Sequence, residues 1–145
     1  MDTVKAKWNG SRRFVAWGEA GHGVVMDATP EYGGDGSGVR PTELVLYGLA
    51  GCTAMDVISI LEKKRQTVTD LDIVVKGIKR TEVYPKIYER IELEYIVTGV
   101  GVKPEAVARA IELSEEKYCS VRGMFGSQVE VVTSYIVREA ELPCE

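Results

Sequence analysis

The stretch Pro41–Arg65, PTELVLYGLAGCTAMDVISILEKKR, decides the fold of this chain. Pro41 suits a first helical position, because its φ is preset and its missing N–H would have had no partner there. Lys63, Lys64 and Arg65 complement the carbonyl end of the helix dipole. Between these ends Leu44, Leu46, Leu49, Ala50, Met55, Val57, Ile58, Ile60 and Leu61 fall on almost every side. A helix apolar all round belongs inside a core or against a partner. Gly48 and Gly51 cost helix propensity, which predicts that another backbone packs closely on them. Gly48, Gly51, Thr53, Asp56 and Ser59 interrupt the apolar run, so it reads as a buried helix rather than a membrane span.

Upstream, Val4, Ala6 and Trp8 alternate with polar neighbours before the Asn9-Gly10 turn signal. Phe14–Trp17 and His22–Met26 read as two further strands. The segment 29–39, TPEYGGDGSGV, reads as a flexible loop or flap. Downstream, Leu71, Ile73 and Val75 alternate with Asp72, Val74 and Lys76, and Ile91, Leu93, Tyr95 and Val97 with Glu92, Glu94 and Ile96. Two half-buried strands around the charged turn 79–86 predict an antiparallel pair. Pro104 opens a second helix with Val107, Ala110, Ile111, Ser114 and Tyr118 on one face, and Cys119 falls at its end. Val129–Val137 is a last strand, and the tail from Glu139 reads as frayed. Strands, helix, strands, helix, strand is an α+β order, expected as antiparallel sheets around a buried central helix.

The 145 residues fit a single domain, 1–145, and 45% hydrophobic with 28% charged residues is a globular balance that needs no disulfide or metal to fold. A net charge of −4 with scattered basic residues speaks against a nucleic-acid partner. Met1–Trp8 lacks the apolar run of a secretory signal, so a cytoplasmic protein is expected, with no membrane association. Thiols stay reduced there, and three cysteines cannot all pair within one chain. The count fits a reactive pair plus a bystander, and Cys144, the penultimate residue, reads as an incidental thiol.

From the residues alone, Cys52 among small neighbours and Cys119 at a helix end read first as packing cysteines. Their spacing is not a CxxC and does not bring them together. No cofactor or metal is expected: His22 stands without a ligand cluster, and Gly33–Gly38 lacks both the P-loop ending and the GxGxxG spacing. Asp56 and Glu62 are not spaced as an acid/base pair at a recognisable site.

Arg40-Pro41-Thr42-Glu43-Leu44 with Ala50–Leu61 resembles the first cysteine helix of the OsmC/Ohr family, the osmotically inducible and organic hydroperoxide resistance proteins. Ala106–Ala110 with Ser114–Val121 resembles the second. In the wording Ser-Ile-Leu and Glu-Lys-Tyr-Cys-Ser-Val the chain is most similar to the YhfA-like branch. The resemblance implies an OsmC-like, intertwined homodimer. It implies Cys52 as the thiolate that attacks an organic hydroperoxide and Cys119 as the resolving thiol, with an external thiol reductant as the other partner. It also implies an arginine held by a glutamate directly after the helix-opening proline. That position is Thr42 here, and Glu43 lies one residue on, a rotation of roughly 100°. Glu43 also reads as a first-turn carboxylate favoured by the dipole. Arg13, Arg12 and Arg40 are the candidate arginines, and Arg12–Arg13 reads equally as a solvated surface pair. The competing expectation is a non-catalytic dimer that binds a small hydrophobic molecule, with the cysteines as packing or redox-sensing residues.

Overall fold

The computed structural model describes residues 1–141; Cys144 and the rest of the tail beyond Glu141 lie outside them. The chain divides into two compact units, residues 1–47 and 48–145.

In the first unit, β1 (Val4–Trp8), β2 (Phe14–Gly18) and β3 (Gly23–Met26) form an antiparallel meander in that order. Val4 pairs with Gly18 and Phe14 with Met26. The segment after β3 is a constrained loop, not the flexible flap its composition suggests. It makes one 3-10 turn at Pro30–Tyr32 and folds back onto the carboxylate of Asp27, which is buried. Asp27 accepts hydrogen bonds from the N–H groups of Ala28 (2.8 Å), Asp35 (3.2 Å) and Ser37 (3.1 Å), and from the Ser37 hydroxyl (3.0 Å). The Asp35 side chain first, and then these backbone donors, outweigh burial and hold the Asp27 carboxyl well below the usual carboxylate range. At Gly34 an added Cβ would overlap the Ala28 carbonyl, so the loop closes only with glycine there.

The helix α1 (Pro41–Lys63) starts at the proline and stops two residues before the sequence predicts. Arg65 adopts the left-handed conformation (φ 56°), and the bonds Arg65 N–H to Glu62 O and Gln66 N–H to Leu61 O close the end as a Schellman motif. Among the described residues α1 is the one helix long and apolar enough to cross a bilayer by length and composition. Leu49, Thr53, Val57 and Leu61, four residues apart, form its buried stripe. Val45, Tyr47 and Met55 are exposed, Met55 by 74%. Burial of α1 within the chain is therefore one-sided. Nor does a backbone approach its glycines: an added Cβ at Gly51 meets nothing, and at Gly48 only the Val121 side chain at 4.0 Å.

The second unit carries β4 (Thr67–Lys79), β5 (Tyr88–Val100) and β6 (Glu130–Glu139) in one sheet in that order. β4 and β5 are an antiparallel hairpin running from Thr67 opposite Val100 to Lys79 opposite Tyr88. The expectation of wholly antiparallel sheets fails at β6, which pairs parallel to β5, with Arg90 opposite Glu130 and Gly99 opposite Glu139. Parallel neighbours need a crossover connection. It is supplied by α2 (Pro104–Leu113), a π-helical turn over Ser114–Tyr118 and the short α3 (Ser120–Gly123). Ile91, Leu93, Tyr95 and Val97 of β5 are buried, as their alternation predicts, with Ala106, Val107, Ala110 and Ile111 of α2.

Candidate functional site

The second unit brings the two cysteines together. Cys52 sits on α1 beside the buried stripe, and Cys119 sits between the π turn and α3. Both are free thiols. The π turn decides which residue of the second segment faces inward. Cys119 N–H bonds Ser114 O at 2.8 Å, an i to i−5 bond that adds a residue to the turn. The face therefore slips by one position, roughly 100°. Tyr118, expected on the buried face, is 50% exposed, and Cys119 is buried in its place. Cys119 then caps α3 with its sulfur, accepting the Arg122 N–H at 3.4 Å.

The Cys52 and Cys119 sulfurs and a carboxylate oxygen of Asp56 lie within 4.8 Å of one another. Asp56 is one helical turn after Cys52, so the two share a face of α1. Sequence reasoning passed over Asp56 because its partner groups are far away in the chain; the i, i+4 spacing from Cys52 was the available signal.

Beneath the thiols runs a chain of hydroxyls. Ser114 Oγ donates to Asp56 Oδ2 at 3.0 Å. Ser114 has one proton, so at the 3.0 Å contact between Ser114 and Thr53 the threonine must donate. Tyr95 then donates to Thr53 at 2.6 Å. The order Tyr95, Thr53, Ser114, Asp56 thus points every proton toward the carboxylate, and the three hydroxyl residues are almost wholly buried. Burial pushes the Tyr95 phenol up to about 12, against the lowering effect of its bond with Thr53. Burial likewise pushes the Cys119 thiol up to about 11; the Arg122 N–H opposes this, while contact with Cys52 and the charge of Asp56 add to it. Nearby Glu115 is raised by burial and lowered by its bond with Thr133 and by the charge of Arg122. Its Oε1 and the Arg122 Nε are buried without a hydrogen-bond partner among the described residues. A cleft of about 310 Å³ opens beside Asp56, walled by Ile60, Leu113 and Tyr118 and edged by Lys63 and Lys64.

The arginine candidates belong to the first unit. Arg13 donates to Ser37 Oγ at 2.6 Å and pairs with Asp35, so it fastens the loop held by Asp27. Arg12 is exposed. Arg40 pairs with Glu43 at 3.2 Å, and Glu43 also accepts the Tyr47 hydroxyl at 3.3 Å. The lone His22 is exposed.

This α+β fold is that of the OsmC-like proteins, whose family model matches residues 34–134. The chain belongs to that family. It is 41% identical over 134 residues to Protein YhfA of Escherichia coli K12, covering 92% of this chain and 96% of that protein. A hypothetical protein from Aquifex aeolicus VF5 has a solved structure that superposes with a TM-score of 0.84 at 34% identity, covering 97% of this chain and 98% of the other. The organic hydroperoxide resistance protein OhrB of Bacillus subtilis shares the fold at a TM-score of 0.66 and 14% identity, covering 94% and 98% of the two chains.

Proposed function

We propose that this chain is a thiol-dependent peroxidase that reduces organic hydroperoxides in oxidative-stress defence in the cytoplasm. The observation that carries the reading is the approach of two free thiols to within 4.8 Å. A disulfide is about 2.05 Å long, so the sulfurs need to close by less than about 2.8 Å. In the proposed cycle the Cys52 thiolate attacks the distal peroxide oxygen, the O–O bond breaks, and the alkoxide leaves as the alcohol after taking a proton. Cys52 becomes a sulfenic acid. Cys119 then attacks that sulfur, water departs, and an external thiol reduces the disulfide. Cys119 is a protonated thiol at neutral pH, so its attack needs a base; Asp56, within reach of both sulfurs, is the group to take that proton. Support for a thiolate-stabilising arginine comes from Arg40, whose guanidinium pairs with Glu43, one residue after the glutamate position the family resemblance implies. Arg13 is the weaker candidate, since Asp35 and Ser37 already occupy it.

Homodimerisation is part of the proposal, supported by the exposed apolar side of α1 at Val45, Tyr47 and Met55. Light scattering after size exclusion should give twice the chain mass, and a monomer mass at all concentrations would remove this element.

The alternative, a non-catalytic dimer that binds a small hydrophobic molecule, draws on the raised Cys119 thiol and on the cleft walled by Ile60, Leu113 and Tyr118. One experiment separates the two. Reduced protein carrying Cys144→Ser is treated with stoichiometric cumene hydroperoxide and its thiols are mapped by mass spectrometry, beside a Cys52→Ser control. Rapid, Cys52-dependent formation of the Cys52–Cys119 disulfide is expected. Oxidation no faster than that of free cysteine would overturn the peroxidase reading in favour of the binding module.

A further inference from the structure

The carboxylate at the thiol pair raises a question of charge that peroxide chemistry does not answer. A peroxidatic thiolate is favoured by a neighbouring cation, yet the group within 4.8 Å of both sulfurs is Asp56. Among the described residues no ion pair reaches Asp56; its hydrogen bond comes from neutral Ser114. Three atoms that are anionic when deprotonated converge here, and although Lys63 and Lys64 edge the cleft beside Asp56, no ion pair among the described residues neutralises them.

We infer that Cys52, Asp56 and Cys119 form a three-ligand site for a thiophilic divalent cation, with Zn2+ the plainest case. Two thiolates and a carboxylate suit Zn2+ and its borderline-soft relatives and disfavour Mg2+ or Ca2+, which prefer all-oxygen sites. The separations fit. With Zn–S bonds of about 2.3 Å and Zn–O bonds of about 2.0 Å, the donor atoms of a tetrahedral site lie roughly 3.5–3.8 Å apart, so a cluster already within 4.8 Å needs to close by about 1.3 Å at most. Two ligands are rigidly spaced by one turn of α1, and the third is presented by the π turn, whose extra residue turns Cys119 inward.

The groups behind the ligands point the same way. Ser114 donates to Asp56 and so aims the free carboxylate oxygen; Thr53 and Tyr95 back that serine with buried bonds, and the Arg122 N–H fixes the Cys119 sulfur. Such an outer layer is what orients metal ligands. Three protein ligands leave the fourth tetrahedral position open, the pattern of sites that bind an exchangeable water or a reactant. The inference does not rest on the peroxidase reading. A bound cation and a Cys52–Cys119 disulfide exclude each other, because each uses both sulfurs; occupancy would shield the thiols from oxidation.

The test uses reduced, metal-free protein carrying Cys144→Ser, titrated anaerobically with Co2+ as a spectroscopic stand-in. The expected result is one Co2+ per chain, with a thiolate-to-cobalt charge-transfer band and intense tetrahedral visible bands, both displaced by Zn2+. Cys52→Ser and Cys119→Ser should each diminish the charge-transfer band. Ser114→Ala should weaken binding by about 10–100-fold while keeping it, and Asp56→Asn by at least about tenfold. Far-ultraviolet circular dichroism checks each variant's fold. If a folded variant fails to form, the parent titration still decides. No charge-transfer band in the parent at excess Co2+, or a band that Cys52→Ser leaves intact, would overturn the site. Cobalt binding in a protein that forms no peroxide-driven disulfide would support this site and overturn the peroxidase reading. Disulfide formation without a cobalt band would do the reverse.

Discussion

Replacing Thr53 by valine changes almost nothing in shape and removes the one hydroxyl that both accepts from Tyr95 and donates to Ser114. The consequences are unequal because the protons are ordered. Tyr95, wholly buried, is left with an O–H that donates to nothing, at a cost of about 1–3 kcal/mol. Ser114 keeps its proton on Asp56 and loses only an accepted bond, about 0.5–1 kcal/mol more. Thr53→Val is therefore expected to destabilise by about 1.5–4 kcal/mol. Tyr95→Phe removes the donor together with its bond and leaves Thr53 donating to Ser114, so about 0.5–1.5 kcal/mol is expected. In the double variant no stranded tyrosine proton remains, and its cost should fall short of the sum by about 1–2 kcal/mol. Urea unfolding at one fixed protein concentration reads all four proteins, provided the m-values agree. Additivity within about 0.5 kcal/mol would mean that the two hydroxyls do not share a bond, and the ordered chain leading to Asp56 would be wrong.

Further outcomes follow from two titrating groups, Cys119 and Asp27. In a Cys52→Ser, Cys144→Ser background, burial alone should still hold Cys119 above the ordinary thiol range and make it alkylate slowly at neutral pH; an inflection near the ordinary thiol value of about 8.5 would refute its burial. The same proton fixes a sign: native Cys119 keeps it where the unfolded chain releases it, so its contribution to stability is whole below about pH 8.5 and is lost as the pH rises toward about 11. Asp27 behaves oppositely. Its native carboxyl ionises more readily than the unfolded one, so its contribution is present above about pH 4 and is lost as the pH falls below that. Asp27→Ala should abolish amide-exchange protection at Asp35 and Ser37, whose N–H groups it accepts; unchanged protection there would show that the loop stands without it.

Much of this architecture was legible because period and punctuation are local signals. Pro41 and Pro104 open helices where their chemistry predicts, and the alternation at Ile91–Val97 marks the buried face of β5. Strand direction is not local: period-two patterning is the same for parallel and antiparallel neighbours, so the pairing of β6 was hidden. The π turn was hidden too, since an inserted residue leaves no mark in composition, and the slip it causes moved the expected inward residue from Tyr118 to Cys119. The cysteines were visible as individuals, but their meeting depends on tertiary structure, as does the carboxylate of Asp56 beside them. The glycine-rich segment 29–39 misled for the opposite reason. Gly34 reads as looseness, yet it is the residue that lets the backbone close around Asp27.

The crossover that carries Cys119 to Cys52 joins points roughly 67 residues apart along the chain. A covalent bond there would act chiefly on the unfolded ensemble, by forbidding its more extended members. In the loop-entropy treatment a closure of that length is worth about 4 kcal/mol, less any strain in the folded form. The redox history of the sulfurs would then be written into the melting curve of the whole second unit, readable without any substrate, and the oxidised molecule would be the harder of the two to denature.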